Sequence, residues 1–297
     1  MVRLSPLVVL STRLEANVPR QRPMSHEVCR ISGRSFGYGL IEGDGPTVVL
    51  LHGWGLGHLA YEPAAREIAA RGYRLVVPDL PGFGQSSDPP VFGLRFENYA
   101  ASVSSFLDSC SDLDGEPVHL VGHSFGGAVT VQVAHDRPEL VASAVLVCSV
   151  GTTAWLRDGS SERLLRDRPL WDWCYHLIAE FPTGHFPRAA LGLLRELSHN
   201  VVWHPASLGL LAGMIRQGGL RDKLERLREA GLPAAVVWAE QDRVVTRACF
   251  DDQCRALGVN GRVVKGNHGW PLSAPGSFGE TISEILDAME ASSTFVA

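Results

Sequence analysis

The sequence predicts an α/β fold: a mostly parallel, doubly wound sheet with a helical cap inserted after the sixth strand. Three observations carry this. Short apolar runs (Thr47–Leu51, Tyr73–Pro78, Pro117–Val121, Ala144–Cys148 and Pro233–Ala239) read as strands buried on both faces. Segments with helical apolar spacing lie between most of them, so successive strands need crossovers and pair in parallel. The alternation then stops between about Gly151 and Gly231, where helical patterns run without a convincing strand.

Taken in order, residues 1–27 read as an extension, broken by Pro19 and Pro23, and Met24 is a second candidate start. Val28 to Leu40 reads as a β-hairpin turning at Ser32-Gly33. The strand Thr47–Leu51 runs into His52-Gly53-Trp54-Gly55. A helix from His58 to Arg71 closes at Gly72, and the strand Tyr73–Pro78 leads into the loop Asp79–Ser86. Phe96, Tyr99, Val103, Phe106 and Leu107 mark a helix over Phe96–Ser109. The next strand ends at Val121 and the next helix covers Ala128–His135. After the insert come a strand to Ala239, a helix over Arg247–Leu257, a strand at Gly261–Val264 and a last helix over Gly276–Glu290. The expected organisation is thus a core of 28–150 and 232–297, with 151–231 as a helical insert.

Composition narrows the function. The chain has 297 residues, 45% of them hydrophobic, and a formal charge of −5 without a dense basic run, which argues against nucleic acid as a partner. Its six cysteines form no C-x-x-C pair and no zinc spacing, so the expectation is thiols in a reducing, cytoplasmic compartment, with no metal and no cofactor. No apolar run approaches the roughly 18 residues of a membrane-spanning helix. A small molecule is the expected partner, with self-association left open.

The chemistry concentrates at Gly122-His123-Ser124-Phe125-Gly126-Gly127, placed between a strand and a helix. A serine on so sharp a turn takes a strained backbone, and glycines on either side let neighbouring chain pass close by. Its hydroxyl is a weak nucleophile near neutral pH and needs a base, and the base needs an orienting acid. His268 is the only histidine beyond Ala239 and follows the last strand. Asp242 follows the strand ending at Ala239, with Glu240 as its rival. An oxyanion needs two donors, expected from the backbone N–H of Phe125, at a helix N-terminus, and of Trp54, on the glycine-flanked turn after Leu51.

His52-Gly53-Trp54-Gly55, Asp79–Ser86, Gly122–Gly127, Trp238–Asp242 and Gly266-Asn267-His268 together resemble the α/β-hydrolase superfamily over residues 28 to 290. The resemblance implies that 151–231 covers the site as a cap and that Asp79 and His52 shape loops. It implies a serine hydrolase of esterase or lipase type, acting on an ester or related acyl bond through an acyl-serine. Carbon–carbon bond hydrolases and cofactor-free haloperoxidases share the serine, aspartate and histidine, and some members of the fold are receptors with slow or no turnover. Trp155, Trp171, Trp173 and Trp203 lie in the insert and are the candidate substrate contacts; packing of the cap onto the core is the competing role.

Overall fold

The computed structural model describes residues 22–90, 94–113, 115–152, 187–217 and 219–294. One eight-stranded sheet runs through the molecule. Its strands are β1 (Ser25–Ile31), β2 (Arg34–Ile41), β3 (Thr47–Leu51), β4 (Arg74–Pro78), β5 (Val118–His123), β6 (Val141–Val147), β7 (Ala234–Ala239) and β8 (Arg262–Val264), in the spatial order β1-β2-β4-β3-β5-β6-β7-β8. The β1–β2 and β2–β4 pairs are antiparallel; every later pair is parallel.

The strand β1 begins at Ser25, three residues before the expected start at Val28, so the extension does not reach 27. The reason it hides from pattern analysis is its position: β1 is an edge strand and its first four residues are exposed, giving no apolar alternation. Met24 is nonetheless buried, and its sulfur fills the space that a side chain at Gly39 would need.

Helix α1 (His58–Ala69) buries Tyr61, Ala64, Ala65 and Ile68, an i, i+3, i+4, i+7 stripe. It packs against α9 (Pro275–Thr294), and Tyr73 ties that face together by donating its hydroxyl to Asp287 at 2.6 Å. The other face carries α2 (Phe96–Ser109), α3 (Phe125–Asp136), α6 (Arg221–Glu229) and α7 (Arg247–Leu257). α3 is apolar nearly all round and buried from Phe125 to Ala134, as a helix at the centre of a layered fold must be. A short helix α8 (Trp270–Ser273), not apparent in the sequence pattern, precedes α9.

Between β6 and β7 the described residues include three helices, α4 (Pro187–Trp203), α5 (Pro205–Gln217) and α6, and no strand. α4 and α5 dock on two loops at the ends of the parallel strands. Asn200, fully buried, donates to the Gly55 carbonyl and accepts from the Gly84 N–H, both at 2.9 Å. Ser207 donates to Asp88 at 2.7 Å.

Candidate active site

Every expected catalytic side chain emerges at the carboxyl ends of the strands, where a parallel sheet gathers its loops. Ser124 joins β5 to α3 with φ 53° and ψ −114°, a conformation L-residues rarely adopt. Glycine is needed on both sides of it for a visible reason. A Cβ at Gly122 would lie 2.5 Å from the Gly126 carbonyl oxygen, and one at Gly126 would lie 2.3 Å from that of Leu51. The elbow is therefore pressed against the end of β3.

Ser124 Oγ and His268 Nε2 are 2.9 Å apart, and His268 Nδ1 and Asp242 Oδ2 are 2.8 Å apart. A carboxylate only accepts, so Nδ1 carries the proton and Nε2 accepts from the serine hydroxyl. The second carboxylate oxygen of Asp242 accepts the N–H groups of Val244 and Val245 at 2.7 and 2.8 Å, which fixes the carboxylate plane. All three side chains are buried. Glu240, the rival acid, is exposed.

Cys148 adjoins this group. It follows β6 with φ 44°, and a ligand atom of each of Cys148, Asp242 and His268 falls within 4.8 Å of the others, the one such cluster among the described residues. Asp242 and His268 are hydrogen-bonded to each other through Oδ2 and Nδ1.

The loop after β3 lies against the elbow: a Cβ at Gly53 would be 3.5 Å from that of Ser124. Trp54 follows Gly53 on this loop, and Phe125 follows Ser124 as the first residue of α3. His52 shapes the loop. Its Nδ1–H donates to the Gly53 carbonyl and its Nε2 accepts from the Leu80 N–H, each at 2.8 Å, and burial pushes its pKa down to about 4, so it stays neutral. Asp79 organises the adjoining loop by accepting from the His58 N–H (2.7 Å), the His58 ring (2.9 Å) and the Gln85 N–H (2.8 Å). Burial alone would raise its pKa; the His58 contacts outweigh that and hold it low, and the same contacts raise His58 against its own burial.

Sequence reasoning missed Glu196. It is buried, accepts from the Gly57 N–H at 2.9 Å, and has its pKa pushed up to about 7 by burial, with the charge of Asp79 adding to it. On α4 it reads as a solvated helix residue; nothing in the helical pattern marks it as the one that turns inward.

Trp155, Trp171 and Trp173 lie outside the described residues. Trp203 ends α4 with 68% of its surface exposed, its ring 6.3 Å from that of His199. What does adjoin the elbow, at Phe125, is a cavity of about 230 Å³ with apolar lining from Phe96, Val150, Met214, Ile215 and Leu220 and charged lining from Arg95, Glu97 and Lys223.

The family model for the alpha/beta hydrolase fold matches residues 46–175. A pimeloyl-[acyl-carrier protein] methyl ester esterase of Aeromonas salmonicida is 30% identical over 260 residues, covering 81% of this chain and 95% of that protein. The chain belongs to the alpha/beta hydrolase fold family. An uncharacterised protein of Mycobacterium tuberculosis is 28% identical to this hydrolase over 272 residues, covering 84% of this chain and 78% of its own. A serine hydrolase involved in carbazole degradation superposes with a TM-score of 0.72 at 20% identity, covering 90% of this chain and all (100%) of that one. At that identity the likeness speaks for the fold alone. Among the described residues, no helix is long and apolar enough to cross a membrane.

Proposed function

We propose that this hydrolase cleaves an ester or related acyl bond of a small, apolar substrate through an acyl-Ser124 intermediate. The observation that carries the reading is the unbroken hydrogen-bonded line from Ser124 through His268 to Asp242.

In this scheme Ser124 Oγ attacks the acyl carbon as its proton passes to His268 Nε2. The carbonyl oxygen, now negative, is held by the N–H groups of Phe125 and Trp54, each such donor being worth about 2.7–4 kcal/mol in the transition state. Collapse of the tetrahedral adduct breaks the bond to the leaving alkoxide, which takes the proton from His268. Water then attacks the acyl-serine with the same base and returns Ser124 to its free form. Asp242 keeps the imidazole in the competent tautomer and offsets its charge when it is protonated. Side chains, two backbone N–H groups and water supply every step.

The esterase named among the relatives favours an ester over other acyl bonds. Val150, Met214, Ile215 and Leu220 give the cavity beside Phe125 one apolar side that can receive an acyl or alcohol group, while Arg95, Glu97 and Lys223 make another side polar. Residues 151–231 serve as the cap, excluding water from the reacting bond. The cytoplasmic assignment rests on cysteine usage.

Steady-state hydrolysis of p-nitrophenyl butyrate tests the reading. Wild type should turn it over, and Ser124→Ala should lose about 10³-fold or more in kcat with its fold intact. Equal hydrolysis by both proteins, or none by wild type across acetate to octanoate esters, would overturn it.

A further inference from the structure

Beneath the line of Ser124, His268 and Asp242 runs a second, buried hydrogen-bond chain. Tyr61, on the inner stripe of α1, is fully buried. Its oxygen accepts the N–H of Gly53 at 3.0 Å and stands 2.5 Å from His123 Nδ1. His123 Nε2 lies 2.8 Å from the backbone carbonyl of His268. Three loops thus meet at two side chains: the turn that carries Trp54, the elbow that carries Ser124, and the segment that carries His268.

The end group fixes every proton in this chain. A carbonyl only accepts, so His123 Nε2 carries hydrogen and donates to His268. Burial drives the His123 pKa well down, with the neighbouring His268 adding to it, so the ring is neutral and its Nδ1 is bare. Nδ1 must then accept, so Tyr61 donates to it. Burial raises the phenol's pKa and keeps that proton in place. The free lone pair of Tyr61 is left for Gly53. The packing is close: a Cβ at Gly53 would lie 3.2 Å from His123 Nδ1 and 3.3 Å from the Tyr61 oxygen.

We propose that Tyr61 and His123 are positioning residues, holding the Trp54 N–H and the His268 imidazole in register with Ser124. The proposal rests on the serine-hydrolase reading above. Neither residue touches substrate in it. They act through Gly53 and through the His268 backbone, whose ring stands 5.0 Å from that of His123. Displacing an oxyanion donor or a base by a fraction of an ångström penalises the transition state far more than substrate binding, so their loss should fall on kcat.

Steady-state kinetics on p-nitrophenyl butyrate, with melting curves, test this in Tyr61→Phe, His123→Phe, their double variant and His123→Gln. Glutamine can donate its amide N–H to the His268 carbonyl and accept from Tyr61, so it preserves the polarity of the chain. Expected are a kcat loss of tenfold or more in Tyr61→Phe and in His123→Phe with KM within threefold, a double variant no worse than the worse single, and His123→Gln within threefold of wild type. Retention of kcat within twofold by both Phe variants, a loss carried by KM, or equal losses in His123→Gln and His123→Phe would overturn the proposal. Should Tyr61→Phe fail to fold, the His123 pair alone decides. Ser124→Ala run alongside separates the two ideas. Undiminished activity there removes the serine reading, whereas its loss together with a fully active Tyr61→Phe removes only the positioning role.

Discussion

The indole Nε1–H of Trp54 donates to the carbonyl of Leu208 at 3.1 Å. One side chain therefore links the turn after β3 to α5 of the insert. Trp54→Phe keeps an aromatic ring but loses that donor and leaves the Leu208 carbonyl without it. A hydrogen bond of this kind contributes about 1 kcal/mol net. The expected outcome is a fall of a few degrees in melting temperature and a kcat/KM loss of severalfold on p-nitrophenyl butyrate. A variant equal to wild type in both would show that the link does not hold the turn.

Glu196 makes the docking of α4 depend on pH. Its folded pKa of about 7 stands above the ordinary 4.5, so the protonated form is the one the fold favours. The contribution is fully present below pH 4.5 and is lost as pH rises through 7. A rise from 4.5 to about 7 corresponds to roughly 3 kcal/mol. Glu196→Gln carries no charge and should melt higher than wild type above pH 7, with the gap closing by pH 4.5. A gap independent of pH, or one that opens on the acid side, would contradict this assignment.

Ile215 tests the cavity beside the elbow. It is buried and lines that cavity together with Met214 and Phe125. Ile215→Trp should fill the space and shift preference toward short acyl chains. The ratio of kcat/KM for the octanoate over the acetate ester should fall by tenfold or more, with acetate turnover nearly kept. An unchanged ratio in a folded variant would place the acyl chain elsewhere.

The two candidate acids separate cleanly. Asp242 holds His268 at 2.8 Å and Glu240 is exposed. Asp242→Asn should cost orders of magnitude in kcat, because an amide in that place no longer enforces the proton on Nδ1; the loss of the corresponding aspartate in a serine protease is about 10⁴. Glu240→Gln should be close to wild type. The reverse pattern would reassign the acid.

Sequence pattern alone led to the sheet, the elbow and its partners, because each carries a local signal. Buried parallel strands are continuous apolar runs; the elbow needs glycines at fixed offsets; Asp242 and His268 directly follow strands. What it missed carries no local signal. Tyr61 falls on the apolar stripe of α1 with Ala64, Ala65 and Ile68, so it reads as core, and only the fold shows its hydroxyl meeting Gly53 and His123. Glu196 looks like any charged helix residue until the loop at Gly57 is folded over it. Trp203 shows the limit of composition: large aromatics in an insert suggest either ligand contact or packing, and this one, exposed at the end of α4, does not pack into the core. The short α8 carries no local signal either, because four residues with Pro271 give no periodicity.

The central claim is that Ser124 is the nucleophile, and the most direct measurement is covalent. Treatment with a fluorophosphonate, followed by peptide mapping in a mass spectrometer, should give one phosphonyl adduct per chain, on Ser124, with esterase activity falling in proportion to labelling. An adduct on another residue, or turnover that survives complete labelling of Ser124, would contradict the account.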